Sequence, residues 1–74
     1  MTNEQREATA ATVAEITGGK VWTGGDNVRV YLSGYVRGYI AIEDDGSRNY
    51  KGLERRQAGT RNDVEAALAA RGVA

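Results

Sequence analysis

The sequence predicts an α+β domain: a four-stranded antiparallel meander with one helix before it and one after it, in the order α-β-β-β-β-α. Three observations carry this reading. Segments with a capping residue at the start and glycine at the end open and close the chain. Between them lie short stretches rich in Val, Ile and Tyr that alternate apolar and polar side chains. Turns of hairpin length, built from Gly, Asp and Asn, separate those stretches. The 74 residues suit one small domain, 1–74, with no repeat and no low-complexity run.

The first helix is expected over 3–17. Thr2 or Asn3 can cap it, Glu4 and Glu7 suit its first turn, and Gly18-Gly19 can stop it. Its apolar face is thin: Thr9, Val13 and Ile16, flanked by Ala10 and Ala14. Strands follow at 20–23 and 28–33, joined through "GGDN". The strongest strand is 35–43, reached through Ser33-Gly34. "DDGS" at 44–47 then predicts a second hairpin with Asp45-Gly46 as its turn pair, leading to a polar edge strand at 48–53. The last helix begins at Thr60 or Asn62, each followed three residues later by an acid. Val64, Ala67, Leu68 and Arg71 share one side of it, and Gly72 stands where a terminating glycine belongs.

Composition narrows the function. With no His and no Cys, the commonest general base and the thiol nucleophile are missing. A chain this short also encloses little pocket volume, so the expectation is a protein that is not an enzyme and needs no cofactor. "EDDGS" gathers three acids, but a hairpin turn explains them better than a metal site does. "GGKVWTGG" lacks the G-K-[ST] ending of a phosphate loop and follows a helix rather than a strand. The polar N-terminus has no leader-like apolar run, and no stretch reaches the ~18 apolar residues of a membrane span. The absence of cysteine fits a cytoplasmic protein. The core is small and unreinforced, worth roughly 3–5 kcal/mol net, which leaves a homodimer or an obligate partner open.

Formal net charge is zero, against binding nucleic acid by bulk electrostatics alone. The charges are nevertheless sorted. Residues 1–17 are acidic, and 47–61 are basic through Arg48, Lys51, Arg55, Arg56 and Arg61.

Within 29–50, Arg-x-Tyr recurs three times: Arg29/Tyr31, Arg37/Tyr39 and Arg48/Tyr50. Strand alternation places Val28, Val30, Leu32, Val36, Ile40 and Ile42 on one side of the sheet. Arg29, Tyr31, Tyr35, Arg37 and Tyr39 then fall on the other. If Leu53 points to the core, regular alternation sends Arg48 and Tyr50 to the same outer side. The expectation is a sheet dry on one face and wet on the other, with a bulge at Gly34 or Gly38 able to break the set. Trp22 is either a core anchor or a member of the outer face beside Tyr31.

The Arg/Tyr face has three readings: shielding of an exposed sheet by Arg–Tyr stacking, a protein-binding surface, or a nucleic-acid platform. The segment "GGKVWTGGDNVRVYL" (18–32) resembles short uncharacterised proteins of phages and mobile elements, through Gly18, Gly19, Lys20, Trp22, Arg29 and Tyr31. Some proteins of that kind are anti-CRISPR or other anti-defence inhibitors. The resemblance implies a blocker that covers a host protein or nucleoprotein. The contacts expected are Arg29, Tyr31, Tyr35, Arg37, Tyr39, Arg48 and Tyr50, with Arg55 and Arg56 flanking. A nucleic-acid-binding module using the same face, or a homodimeric structural protein, is the alternative.

Overall fold

The computed structural model describes residues 1–32, 37–53 and 59–74. It has the predicted order: α1 (Asn3–Thr17), β1 (Lys20–Gly24), β2 (Asn27–Tyr31), β3 (Tyr39–Ile42), β4 (Arg48–Lys51) and α2 (Gly59–Ala70). The four strands form one antiparallel sheet in the order β1-β2-β3-β4.

Local chemistry sets the ends of each element. Thr2 caps α1 through a reciprocal pair: its hydroxyl accepts from the Gln5 N–H at 3.1 Å, and the Gln5 side chain accepts from the Thr2 N–H at 2.8 Å. Gly18 closes α1 in the left-handed conformation, at φ 74, and its N–H reaches the Ala14 carbonyl. Helix α2 starts at Gly59, a residue or more earlier than its capping signals imply. It ends as its glycine predicts: Gly72 donates to Ala69, and Val73 donates back to Leu68 at 2.9 Å. Gly25, at φ 57, is the first central residue of a two-residue turn between β1 and β2, where glycine is favoured.

Both helices lie against one face of the sheet. Ala10 and Val13 from α1 meet Val28, Val30, Leu32, Ile40 and Ile42 from the sheet, and Val64 and Leu68 from α2 complete the core. Helix α1 buries Thr9, Ala10 and Val13, the face read from its sequence, and adds one cation. Arg6 is 5% exposed. Its Nε and Nη2 donate to the Ile42 carbonyl at 3.1 and 2.6 Å, and Nη1 donates to Asn3. The first turn of α1 is thus tied to the end of β3 through the Ile42 main-chain oxygen.

Strand bounds differ from those predicted: β1 runs one residue further, to Gly24, and β4 ends at Lys51 rather than at 53. Of the expected strand 35–43, Tyr39–Ile42 is strand and Arg37 lies in a bend; Ser33, Gly34, Tyr35 and Val36 lie outside the described residues. Among the described residues no helix is long and apolar enough to cross a membrane.

Candidate functional site

The face of the sheet turned away from the helices is open, and the pairing register states what occupies it. Lys20 pairs Tyr31, Tyr31 pairs Tyr39, and Tyr39 pairs Lys51, so one row across all four strands reads Lys-Tyr-Tyr-Lys. The neighbouring row reads Trp22, Arg29, Ala41, Asn49. Directly paired residues share a face, so these eight side chains lie together.

Their geometry is a ring cluster around one guanidinium. The Trp22 and Tyr31 rings meet edge to face at 6.4 Å and 85°. The Tyr31 and Tyr39 rings lie 5.4 Å apart. The Arg29 guanidinium sits 4.7 Å from the Tyr39 ring centre and 5.5 Å from that of Trp22. Its Nη1 donates to the Tyr31 phenol oxygen at 3.2 Å, which raises the Arg29 pKa further above its ordinary value. Trp22 and Tyr31 remain 45% and 40% exposed, so the cluster organises the face without closing it. The indole lies across Gly24, where an added Cβ would come within 2.5 Å of its ring. A glycine there lets the ring lie flat on the strand.

Trp22 is therefore not the core anchor that a lone tryptophan in a small domain invites. It belongs to the outer face beside Tyr31, the other reading its position allows. Arg29, Tyr31 and Tyr39 stand where strand alternation put them.

Arg48 and Tyr50 do not. Expected on the outer face, they pair with Ile42 and Ile40 and point to the helix side. The cause is the hairpin. A two-residue Asp45-Gly46 turn would pair residue 44 with 47; instead the loop holds three residues, 44–46. The Gly46 N–H bonds the Glu43 carbonyl, Glu43 N–H bonds the Ser47 carbonyl, and Gly46 sits at φ 86. This is a turn followed by a left-handed bulge residue. The one extra residue reverses the face of every side chain in β4. Leu53 still reaches the edge of the core, as expected, because Gly52 at φ 68 breaks the alternation between Lys51 and Leu53. Inferring Arg48 and Tyr50 from Leu53 fails for that reason.

On the helix side the two residues build a different site. Arg48 grips Glu65 of α2 with both prongs, Nε to Oε2 at 3.0 Å and Nη2 to Oε1 at 2.7 Å. The Tyr50 hydroxyl donates to the same Oε2 at 2.6 Å, and Arg61 lies 5.9 Å from the Tyr50 ring centre. The Arg48 side chain is only 9% exposed, and its Nη1 also reaches the main-chain oxygen of Gly46. The ion pair lowers the Glu65 pKa and raises that of Arg48. Burial, then the bond to Glu65, pushes the Tyr50 phenol well above the tyrosine range. Every polar atom faces a protein partner, so this trio is a clamp between β4 and α2.

The remaining expected contacts divide. Arg37 is exposed at the bend before β3, and its carbonyl lies against Gly52. Tyr35, Arg55 and Arg56 lie outside the described residues. The acids of "EDDGS" serve the hairpin. Asp45 accepts the Ser47 N–H at 2.9 Å; hydrogen bonding from Ser47, side chain first and then main chain, lowers its pKa; and Glu43 accepts from Asn49. Asp44 stands 3.6 Å from Arg6. Among the described residues no three acids, His or Cys are placed to hold a metal ion.

Lys20 and Lys51 were not expected on the face. Their signal was in the sequence, since Lys20 is two residues before Trp22. Lys51 alternates with Tyr50, and only the hairpin parity hid it. Two shallow depressions flank the rings. One, of about 180 Å³, takes in Lys20 and Tyr31; the other, of about 160 Å³, takes in Tyr39, Lys51 and Arg29.

No protein-family model, curated protein or solved structure matches the chain. The reading of the site therefore stands on its geometry.

Proposed function

We propose that this is a non-enzymatic recognition protein that covers a macromolecular partner, a protein or nucleoprotein with an anionic contact surface, through the open face of its sheet. The observation that carries this is the exposed Trp22–Tyr31–Tyr39 cluster around Arg29, flanked by Lys20 and Lys51. None of the paired strand positions on that face is a carboxylate. Aromatic side chains and arginine dominate binding hot spots because they bury much area with few rotors and keep a polar tip. A face of this composition left 40% or more open at Trp22 and Tyr31 is poorly explained by shielding alone.

Occlusion is the simplest mechanism, since the face offers stacking and ionic contacts and the chain has no His and no Cys. A phage-type inhibitor of the anti-CRISPR kind is the narrower form of this proposal. It rests on the resemblance at 18–32, and four of the six residues that carry that resemblance (Lys20, Trp22, Arg29 and Tyr31) stand on the open face.

Affinity capture from a host extract, with and without nuclease, tests the reading. The wild-type chain is expected to retain a defined partner, and Arg29→Glu to lose it while its far-UV circular dichroism is unchanged. Retention by Arg29→Glu at wild-type level would place the contact elsewhere.

A further inference from the structure

The Lys20–Tyr31–Tyr39–Lys51 row has a form that the zero net charge conceals. Two rings stand between two ammonium groups, and three strand spacings of ~4.8 Å separate the outer strands by about 14 Å. Arg29 and Trp22 run beside the row and add a third cation and a third ring. The two depressions each hold one lysine and one tyrosine of the row. The acids that balance the chain are elsewhere. Glu65 is held by Arg48 behind the sheet and Glu4, Glu7 and Glu15 lie on α1; only Glu43, at the hairpin end of β3, borders the depression of Tyr39 and Lys51, where it accepts from Asn49 at 3.1 Å.

We propose that the partner element seated on this face is a short stretch of single-stranded nucleic acid, its bases against Tyr31, Tyr39 and Trp22 and its phosphates at Lys20, Lys51 and Arg29. This rests on the open face being the recognition surface. Charge complementarity selects the ligand: a polyanion meets three cations, Lys20, Arg29 and Lys51, against one bordering carboxylate, Glu43, which accepts from Asn49. The rings select single strands over duplex, because only unpaired bases offer their faces for stacking, on aromatic rings or on a guanidinium plane. A four-stranded face is broader than the helix or two-stranded ribbon that the major groove admits.

The chain contains one tryptophan, and it is on this face, so its fluorescence reports directly. The experiment titrates the full chain with oligothymidylate and oligouridylate of about eight nucleotides, within the span that small single-strand-binding domains cover. Heparin and a blunt DNA duplex serve as comparison probes. Saturable quenching of Trp22 is expected. Contacts to two or three phosphates give a slope of log K against log salt of roughly −1.4 to −2.1. Lys20→Gln with Lys51→Gln should flatten that slope by about 1.4. Tyr31→Leu with Tyr39→Leu, which keeps apolar strand residues, should weaken binding roughly tenfold or more per ring with the slope unchanged.

Absence of quenching at millimolar oligonucleotide overturns the proposal. So does binding in which heparin and duplex match the oligonucleotides and the tyrosine variant is indifferent, because that contact is polyanionic only. If oligonucleotides fail while Arg29→Glu abolishes capture from a nuclease-treated extract, the nucleic-acid assignment is lost and the recognition face survives.

Discussion

Glu65→Ala is expected to bring the domain to the edge of unfolding. The substitution leaves the nearly buried Arg48 guanidinium without its carboxylate and the Tyr50 hydroxyl without its acceptor. Breaking one side of a buried ion pair costs about 3–5 kcal/mol. Glu65 is itself partly exposed, so the lower end, about 3 kcal/mol, applies. A domain of this size has roughly 3–5 kcal/mol in total. Urea unfolding at neutral pH should show the loss as a collapse of the midpoint, with Glu65→Gln intermediate because an amide retains an acceptor.

The same trio gives stability an acid and an alkaline limb. Glu65 has a folded pKa below its ordinary value, so its contribution is complete above the ordinary carboxylate range. It is lost as pH falls through the lower folded value. Tyr50 has a raised folded pKa, so its contribution is complete below the ordinary tyrosine range and is lost as pH climbs toward the folded value. Glu65→Gln should therefore weaken the acid limb and Tyr50→Phe the alkaline one. An unchanged acid limb in Glu65→Gln would mean that the clamp does not hold α2.

Trp22→Ala combined with Tyr39→Ala is expected to abolish partner binding and leave the fold in place. These rings are outside the core, and their mutual contacts through Arg29 are worth about 1–2 kcal/mol in an exposed setting. Two central hot-spot residues each carry about 2 kcal/mol or more of binding. Their joint removal should reduce affinity by at least about a thousandfold, a loss far larger than the change in stability. Shielding predicts the reverse order: a large drop in melting temperature and no binding defect. Thermal unfolding and a binding isotherm on the same preparation separate the two.

The order of elements, both ends of α1, the C-terminal end of α2 and the inner strand faces were legible in the sequence. Val28, Val30, Ile40 and Ile42 alternate without interruption, and caps at Thr2 and Gly72 are local chemistry. Arg29, Tyr31 and Tyr39 followed from the same alternation. What was not legible turned on single glycines. "DDG" serves equally as a two-residue turn or as a three-residue turn with Gly46 as a bulge, and the two give opposite faces to Arg48 and Tyr50. Gly52 then restored Leu53 to the core edge, which made the wrong parity look consistent. Arg6 was hidden for another reason. An arginine in a first helical turn reads as a solvated charge until the Ile42 carbonyl is seen beneath it.

If the reading of the site holds, the open face, and not the helix layer, meets the partner. Amide and indole NMR shifts of the ¹⁵N-labelled chain, recorded as the captured partner or an oligonucleotide is added, test it most directly. Perturbations are expected at Lys20, Trp22, Arg29, Tyr31, Tyr39 and Lys51, with the Trp22 indole N–H among the largest. The exposed sides of α1 and α2 should stay unmoved. Perturbations centred on the helices, with the Trp22 indole unchanged, would contradict it.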